Sequence, residues 1–298
     1  MTNDQPKPEL SIIIVNWNTR EFLRACLRSI YATLDPISFE VIVADNASDD
    51  GSAEMVSSDF PEVLLVRNNE NVGFAAANNI GLRRARGEFV MLLNPDTELC
   101  PNSAARMLDF MKSRPDAGLA GPKLISSSGK LQKSGRRFPS FFSEVLCITR
   151  LFRVVRPWHD AKLRWGRLNF DANVEVDEVS GACMLIRKAA LDQVGLLDER
   201  FFMYYEDVDL CYRLKKAGWK VYFLGEAPVI HIWAQGALKM GVLGATAMMY
   251  RSQYLYFLKH HGFARALGLR ILSALLLLVL RAKYAVFPPR INNQEPAG

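Results

Sequence analysis

The chain has 298 residues, of which 50% are hydrophobic, so it can fill one large core or two modest ones. Its net charge of +6 suits phosphate-bearing ligands or an anionic membrane surface, and no nucleic-acid-binding motif accompanies it. Five scattered cysteines without a CxxC pair argue against a disulfide framework or a zinc site. Residues 1–9 are polar and lack the apolar run of a signal peptide. We therefore expect a flexible N-terminus and a cytoplasmic protein.

Strands and helices alternate over the first third of the chain, and each strand ends in a polar loop. Apolar runs predict strands, and apolar residues at helical spacing predict helices. The predicted strands cover 10–15, 39–44, 63–66 and 89–93, and the predicted helices cover 20–32, with Thr19 as N-cap, 75–85 and 102–112. The pattern is typical of a doubly wound α/β sheet, which binds ligands at the carboxyl ends of its strands. The absence of GxGxxG and GxxxxGK[ST] argues against a dinucleotide oxidoreductase or a P-loop NTPase.

Acidic residues follow two of these strands. Asp96 and Glu98, after a proline-broken turn, could offer oxygens to Mg²⁺ or Mn²⁺. The alternative is that Asp96 or Thr97 caps the helix that begins near residue 101. Asp45 could accept a hydrogen bond from a pyrimidine imide or a ribose hydroxyl. Its alternative is an Asx-turn that stabilises its own loop.

Residues 126–173 have weak periodicity and are rich in serine, arginine and aromatics, which predicts a long, partly mobile insertion. Arg136 and Arg137 within it could meet a phosphate, with a solvated loop as the alternative. A strand pair is expected over 174–187, where Gly181 interrupts the apolar pattern and indicates close approach of a ligand or a neighbouring backbone.

Three acids, Glu206, Asp207 and Asp209, begin a predicted helix that ends near residue 218. The helix dipole favours acids in a first turn, whatever their function. The aromatic residues just before them would restrict water and could tune one acid for proton abstraction. Predicted strands at 219–224 and 228–230 then lead to His231, either a metal ligand or a structural residue.

Six stretches, in order over residues 10–235, resemble the family-two glycosyltransferases of the GT-A fold. The likeness is strongest to bacterial rhamnosyltransferase-like enzymes of O-antigen and exopolysaccharide assembly. The stretches cover 11–18, 43–49, 71–79, 93–97, 180–184 and 205–210. The resemblance implies a Rossmann-like, doubly wound mixed sheet with helices on both faces. It also implies a nucleotide-sugar-binding half at 10–125 and an acceptor-binding half at 126–235, whose insertion lines the acceptor side.

The resemblance also implies residue roles. Asp45 would hold the nucleotide base, and Asp96 would help to bind a divalent metal, Mg²⁺ or Mn²⁺, that bridges the donor pyrophosphate. His231 matches a position that ligates metal in some relatives. Asp207 would be the catalytic base, with Glu206 the second candidate. The other residues implied for the nucleotide sugar are Asn16, Asn18, Asn71, Gly73, Phe74, Asn78 and Asn94, and those implied for the acceptor are Gly181, Ala182 and Tyr205.

The implied activity is inverting transfer of a single sugar, L-rhamnose from dTDP-L-rhamnose, to a hydroxyl of a lipid-linked or saccharide acceptor in cell-surface polysaccharide synthesis. The family's DxD motif would place its first acid at Asn94, which weakens metal binding unless Glu98 or His231 compensates. The QxxRW signature of processive synthases is missing, which favours single addition. The alternatives are a UDP-hexose donor and a catalytically silent nucleotide-sugar-binding scaffold. Asn94 favours the scaffold, and the Glu206–Asp207 pair argues against it.

Residues 236–298 form a predicted helical tail. A helix is expected over 242–258, followed by an apolar segment at 263–287. Its core of about ten residues, 271–280, is shorter than the roughly 18 of a membrane span, and it has arginine and lysine on both sides. We expect shallow insertion at the inner face of the plasma membrane. The alternative is a helix packed on the domain or in a homodimer interface.

Overall fold

The computed structural model describes residues 7–155, 168–232 and 241–286. Its strands, in chain order, are β1 Leu10–Asn16, β2 Phe39–Asp45, β3 Leu64–Arg67, β4 Phe89–Leu93, β5 Thr97–Leu99, β6 Ala117–Ile125, β7 Leu131–Gln132, β8 Gly135–Arg136, β9 Asn173–Val176, β10 Glu178–Val179, β11 Cys183–Arg187 and β12 Lys220–His231. Its helices are α1 Arg20–Thr33, α2 Ser52–Asp59, α3 Phe74–Leu82, α4 Ser103–Ser113, α5 Phe141–Ile148, α6 Lys188–Val194, α7 Glu206–Lys216, α8 Gly241–His261 and α9 Phe263–Val286, with a 3₁₀ helix at Leu151–Arg153.

The centre of the main sheet is made of strands that are apolar on both faces. Every residue of β1 and β4 is buried, which matches the continuous apolar runs of a sheet covered on both sides. In β1, Ile12 and Ile14 join the core beneath α1, α2 and α4. Ile13 points to the opposite face and joins the core beneath α3, α6 and α7. Because successive side chains of a strand point to opposite faces, one strand contributes to the hydrophobic cores on both sides of the sheet.

The main sheet has the strand order β3-β2-β1-β4-β11-β6-β12-β5, with β7 beside β6 and β9 beside β12. The first four strands are parallel, and β11 runs antiparallel between β4 and β6. The predicted α/β class with a mixed, doubly wound sheet is confirmed. Because β1, β2 and β4 are parallel, their carboxyl ends meet at one edge, and Asn16 pairs in register with Asp45 there.

Two local predictions and one alternative, the cap by Thr97, are wrong. Thr19 precedes α1, but its hydroxyl donates to Asn16 Oδ1 (2.6 Å) and makes no cap. Thr97 does not cap a helix, because it enters β5 and pairs with His231 of β12. The two strands expected before His231 are one strand, whose register shifts between Leu224 and Pro228. The shift lets a proline, which cannot donate to the ladder, remain inside the strand.

The described part of the region 126–173 is more regular than predicted. It contains β7, β8, α5 with a capping box between Ser140 and Ser143, and the 3₁₀ helix. Arg136 does not lie in a solvated loop, since its side chain is largely buried and pairs with the buried Glu178 at 2.8 Å. These elements are too short to show a period and depend on distant partners. Residues 156–167 of the predicted insertion lie outside the described residues.

The C-terminal segment forms two long helices, α8 and α9. Residues of both pack with α5 and α7 in one cluster, in which Tyr256 and Phe257 of α8 are fully buried. The predicted division at residue 235 stays a prediction. The uncharged core 271–280 has the expected ten residues, but the helix around it, Phe263–Ala285, is long and apolar enough to cross a membrane by length and composition. Its most apolar 18-residue window has a mean hydropathy of 2.1.

Candidate active site

Two predicted metal ligands meet at the end of β12. The antiparallel pairing of β5 with β12 places Thr97 opposite His231, so the preceding residue, Asp96, lies beside the imidazole. Asp96 Oδ1 is 3.6 Å from His231 Nε2, and both side chains are more than nine-tenths buried. The backbone N–H of Ile232 donates to the Asp96 carbonyl at 2.8 Å and holds the two segments together.

Gln132 fixes the proton position on this imidazole. Its Nε2 donates to the His231 carbonyl (2.8 Å), so its Oε1 is the atom that lies 2.8 Å from His231 Nδ1. An amide oxygen only accepts, and therefore Nδ1 carries the proton and Nε2 carries the lone pair on the side of Asp96. Burial lowers the pKa of His231 to about 4, so the ring is neutral near pH 7.

These residues fit a divalent metal. Asn94 Oδ1 is buried and has no hydrogen-bond partner among the described residues, and Asn94 precedes Asp96 by two positions. A carboxylate oxygen, an amide oxygen and an imidazole nitrogen are ligands that Mn²⁺ or Mg²⁺ accepts, with the remaining positions left for substrate phosphates. Within the described ranges no group of three or more His, Cys, Asp or Glu residues could hold a metal by itself.

Glu98 does not join this group. It pairs with Ile230, one position from His231, so its side chain points to the other face of the sheet. There it lines a surface groove with Arg24 and Arg28 of α1. Of the two residues expected to compensate for the neutral Asn94, His231 is the one that lies beside Asp96.

The three acids of α7 have three different environments. Asp209 is fully buried and accepts from Arg213 Nε (2.8 Å) and His260 Nε2 (2.7 Å), while Lys259 Nζ lies 2.7 Å away. Burial opposes its ionisation, but the hydrogen bonds from His260 and Lys259 and the charge of Arg213 outweigh burial and hold the pKa of Asp209 below its usual value. Asp209 therefore joins α7 to α8.

Glu206 is also buried, but its environment is the reverse. Its Oε2 has no hydrogen-bond partner among the residues that the structure describes. Burial, with the neighbouring charge of Asp207 adding to it, raises the pKa of Glu206 well above its usual value. The ionised form of Glu206 is therefore disfavoured in the folded protein.

Asp207 is the accessible member of the three. It is only half-buried, and its Oδ2 accepts the backbone N–H of Gly181 at 2.9 Å. A Cβ on Gly181 would lie 3.3 Å from Asp207 Cβ, so a glycine lets the two elements approach. Gly181 does lie at a close approach, but the neighbour is the Asp207 side chain rather than the ligand or backbone that was expected.

The segment that contacts Asp207 also contacts the loop that carries Asp96. Gly181 N donates to Asp207, and the carbonyl of the next residue, Ala182, accepts from Asn94 N at 2.9 Å. Two consecutive residues between β10 and β11 therefore connect the first turn of α7 with the loop that carries Asp96.

A second polar cluster lies at the ends of β1 and β2. Asp45 Oδ1 accepts from Asn16 Nδ2 (2.8 Å) and Ser48 Oγ (2.6 Å), and Oδ2 accepts from Ser48 N (3.0 Å). Asp45 thus stabilises its own loop, as the alternative proposed, but through the N–H three residues on rather than through an Asx-turn, which uses the N–H two residues on. Asn18 lies beside it, where its N–H donates to Ser48 Oγ and its Oδ1 accepts from Asp49 N.

The loop that begins with Asn71 joins this cluster to α7. Asn46 Nδ2 donates to Asn71 Oδ1 (3.2 Å) and to the Gly73 carbonyl (3.3 Å). Gly73 has a φ of +89°, and a Cβ there would meet Phe202 at 2.7 Å. Phe74 N donates to the Phe202 carbonyl at 2.6 Å. The loop therefore packs on the aromatic segment that precedes Glu206.

Two predicted binding residues point into the interior. Asn78 is buried, and its Nδ2 donates to the Phe74 carbonyl at 3.0 Å. Tyr205 donates its hydroxyl to Glu144 Oε2 at 3.1 Å and has a φ of +68°. Their roles toward substrates stay predictions.

Sequence reasoning missed three residues that the structure places in the site. Asn46 and Ser48 were not singled out, although both lie in a stretch that carried the resemblance. Nothing in the sequence distinguished Gln132.

The fold and the site together define a class, the glycosyltransferases of the GT-A fold. The chain belongs to glycosyl transferase family 2, whose family model matches residues 11–195. The predicted enzyme class is confirmed.

Two relatives and two solved structures illustrate the likeness. An N-acetylglucosaminyl-diphospho-decaprenol L-rhamnosyltransferase of Mycobacterium tuberculosis is 32% identical over 271 residues, 86% of this chain and 87% of the relative. The low-salt glycan biosynthesis hexosyltransferase Agl10 of Haloferax volcanii is 26% identical over 213 residues, 70% of this chain and 62% of that protein. GalNAc-T7 with UDP, GalNAc and Mn²⁺ has a TM-score of 0.56 at 18% identity, over 76% of this chain and 44% of that one. Mannosyltransferase PcManGT of Pyrobaculum calidifontis with GDP-Man and Mn²⁺ has a TM-score of 0.55 at 16% identity, over 95% and 82% of the two chains.

Proposed function

We propose that this glycosyltransferase moves one L-rhamnosyl residue from dTDP-L-rhamnose to a hydroxyl of a lipid-linked saccharide, with inversion, in cell-surface polysaccharide synthesis. The observation that carries the chemistry is the half-buried Asp207 carboxylate, oriented by Gly181 N and joined through Ala182 to the Asp96 loop. The choice of sugar and acceptor rests on the mycobacterial relative, a decaprenol-linked L-rhamnosyltransferase by name that matches 86% of this chain.

Asp207 acts as the general base in this proposal. The acceptor hydroxyl gives its proton to a carboxylate oxygen as its own oxygen bonds to the anomeric carbon of the donor. The bond from that carbon to the diphosphate breaks, and its electron pair leaves with the nucleoside diphosphate. A single displacement of this kind inverts the anomeric centre. Much of the remaining acceleration comes from holding both sugars in the reacting geometry.

Asp96 and His231, with Asn94, would hold the divalent metal. Mg²⁺ or Mn²⁺ in this position supplies Lewis acidity that neutralises charge on the leaving diphosphate. Because His231 is neutral and its Nδ1 is bonded to Gln132, its Nε2 lone pair is available without loss of a proton.

Asp45 would hold the nucleotide base. Its Oδ2 accepts one hydrogen bond from Ser48 N, and a carboxylate oxygen can accept a second, here from the imide N–H of thymine. We assign the rest of the donor site to the predicted residues Asn16, Asn18, Asn71, Gly73, Phe74 and Asn78. We assign the acceptor side to Gly181, Ala182 and Tyr205.

We place the enzyme at the inner face of the plasma membrane, held peripherally by α9. One face of α9 packs on the domain through buried residues such as Ala266, Leu269 and Ser273, which favours a helix lying along the surface over one that crosses the bilayer. Opposite this buried face the helix is exposed and apolar. A lipid-linked acceptor would reach the enzyme there.

The test is a transfer assay with purified full-length protein and a polyprenyl-diphosphate-linked N-acetylglucosamine acceptor. The donors are dTDP-L-rhamnose, UDP-glucose, UDP-galactose and GDP-mannose, and NMR of the product gives the anomeric configuration. We expect transfer from dTDP-L-rhamnose, with a product configuration opposite to that of the donor. Transfer from a UDP-hexose, without transfer from dTDP-L-rhamnose, would identify the UDP-hexose as the donor instead. Donor binding without transfer, across a broad acceptor panel, would identify a silent scaffold.

A further inference from the structure

The exposed large apolar side chains of this protein are concentrated in one part of the fold. Among the described residues they lie on α5, the 3₁₀ helix with the two residues after it, α8 and α9, and outside these elements only Tyr31 and Leu64 belong to the set. Soluble surfaces rarely gather apolar side chains in this way unless they meet a partner or a membrane.

Helix α9 carries an unbroken apolar stripe along its exposed side. Ile271, Leu275, Leu278 and Val279 are 55–63% exposed, and Phe263 continues the stripe at the start of the helix. The chain provides basic residues at both edges: at about 100° per residue, Arg265 and Lys283 fall along one edge, and Arg270 and Arg281 along the other.

Helix α5 extends this stripe sideways. A Cβ added at Gly268 of α9 would lie 3.5 Å from the Phe141 ring, so this ring borders the apolar stripe. Phe141 and its neighbour Phe142 are themselves 40% and 53% exposed. Farther along, Leu151 and Val154 are 53% and 81% exposed.

The charges on these elements have one sign. Residues 241–286 contain no aspartate or glutamate, and the only acid in 141–155 is Glu144, which is buried. The same segments carry the exposed Arg150 and the four basic residues that border the stripe of α9. An apolar face with basic residues and no exposed carboxylate is complementary to an anionic lipid surface.

We propose that α5 and the 3₁₀ helix Leu151–Arg153 join α9 in a single bilayer-binding face, with Phe141 and Phe142 inserted at the level of the lipid headgroups. The inference deepens the proposed function, because it rests on the acceptor being lipid-linked. Its occupant is the surface of an anionic bilayer. A second copy of the chain on the same face is the outcome that would contradict it.

The buried side of α5 explains why such a contact would serve the reaction. Glu144, three residues from Phe141, accepts hydrogen bonds from the Tyr205 hydroxyl and from Gln253 Nε2 of α8. Tyr205 immediately precedes the first turn of α7, which carries Asp207. One short helix therefore lies between the lipid surface and the turn that presents the base, so an acceptor whose lipid stays in the bilayer has little distance to cover.

The experiment measures partitioning of the full chain into vesicles, with no sugar substrate present. Vesicles of phosphatidylcholine alone are compared with vesicles that also contain phosphatidylglycerol, at about 30 mol%, because anionic lipid attracts basic segments at the membrane surface. The variants are Phe142→Asp on α5 and Leu278→Asp on α9, and Leu64→Asp, at an exposed apolar position on β3, is the matched control. Phe142→Gln, with the same readout, tests the position without adding a negative charge.

We expect wild type to prefer the anionic vesicles and both face variants to bind them at least about tenfold more weakly, since one buried aromatic or leucine side chain contributes that much. The Leu64→Asp control should bind like wild type. Wild-type binding by Phe142→Asp and Phe142→Gln, with a loss in Leu278→Asp, would confine the contact to α9 and overturn the proposal. So would a dimer in light scattering that Phe142→Asp dissociates while wild type ignores vesicles.

Failure of the proposed function would look different. Lipid binding with the expected variant pattern, but no transfer from dTDP-L-rhamnose, would leave the bilayer face standing and remove the donor assignment. Transfer to a short-chain, water-soluble acceptor should be the same in Phe142→Asp as in wild type, because the substituted side chain lies on the exposed side of α5. If Phe142→Asp also loses transfer to the water-soluble acceptor, the substitution perturbs the structure of the active site. That result would count against the bilayer face.

Discussion

His231 Nε2 lies 3.6 Å from Asp96 Oδ1, although the two residues come from opposite halves of the catalytic region. Their closeness depends on the antiparallel pairing of β5 with β12 and on the hydrogen bond from His231 Nδ1 to Gln132 Oε1. A neutral histidine with a fixed tautomer can replace the ligand atom, but not the negative charge, that a second carboxylate would bring at Asn94. The metal site of this chain is therefore expected to be one charge less negative than an Asp-x-Asp pair.

Gln132→Ala should weaken Mn²⁺ binding about 10- to 100-fold, the usual effect of removing the partner that orients a ligating histidine. The measurement is titration of free Mn²⁺ by electron paramagnetic resonance in the presence of nucleoside diphosphate. Gln193→Ala removes a glutamine that bonds to Trp219 Nε1 at the surface, and should have no effect. Equal Mn²⁺ affinity in the Gln132→Ala and wild-type proteins would show that the imidazole needs no such partner.

His231→Ala and Glu98→Ala separate the two candidates for compensating Asn94. His231→Ala should lose Mn²⁺ affinity as strongly as Asp96→Ala, because both would remove a ligand. Glu98→Ala should retain it, because the Glu98 side chain lies on the opposite face of the sheet. Chelation of the wild-type protein should abolish transfer. A loss in Glu98→Ala without one in His231→Ala would reverse the assignment.

Asp207→Asn should lower turnover by about 10²- to 10⁴-fold, the range for a general base. Shape and the hydrogen bond from Gly181 can persist in the amide, so donor affinity by calorimetry should change little. The exposed Asp192→Asn serves as control. Unchanged turnover in Asp207→Asn, together with a large loss in Glu206→Gln, would assign the general base to Glu206 instead.

Glu206→Gln should change how stability depends on pH. The folded protein keeps the Glu206 proton at pH values where the unfolded chain has lost it, because the pKa is raised only in the folded state. Wild-type stability therefore falls as pH rises above the unfolded pKa of about 4.3, with a slope of up to about 1.4 kcal/mol per pH unit, until the folded pKa is passed. A glutamine does not titrate, so the variant should gain stability relative to wild type as the pH rises above the unfolded pKa.

The measurement is urea unfolding at three pH values, with the exposed Glu88→Gln as control. Parallel pH profiles for wild type and Glu206→Gln would mean that the buried carboxyl does not hold its proton.

The parts of the fold that the sequence predicts well are those whose signal is local. The apolar runs of β1 and β4 identify central strands because sheet burial on both faces leaves little freedom of composition. The six stretches of family resemblance likewise lie on strand ends and first turns that the structure brings to one edge. Asp207 and Gly181 were singled out for this reason, and the structure adds the hydrogen bond between them, which the sequence did not predict.

Other features depend on partners far away in the chain. Gln132 belongs to a two-residue strand, and its importance comes only from the ring of His231. The Glu144 carboxylate is identified by Tyr205 and Gln253, which lie on two other elements. A run of two residues has no measurable period, so local pattern could not have singled out Gln132. Glu144 lies on an eight-residue helix, but its partners are 61 and 109 residues away in the chain.

Gly181 and Ala182 are joined by one peptide link, whose two Cα atoms are about 3.8 Å apart by covalent geometry. One residue bonds to Asp207 and the other to Asn94. A displacement of the β10–β11 connection therefore acts on both Asp207 and the loop that carries Asp96. In the proposed displacement, the acceptor bond forms near Asp207 and the diphosphate bond breaks near the Asp96 loop. The spacing between the contacts to these two places is set by one covalent peptide unit.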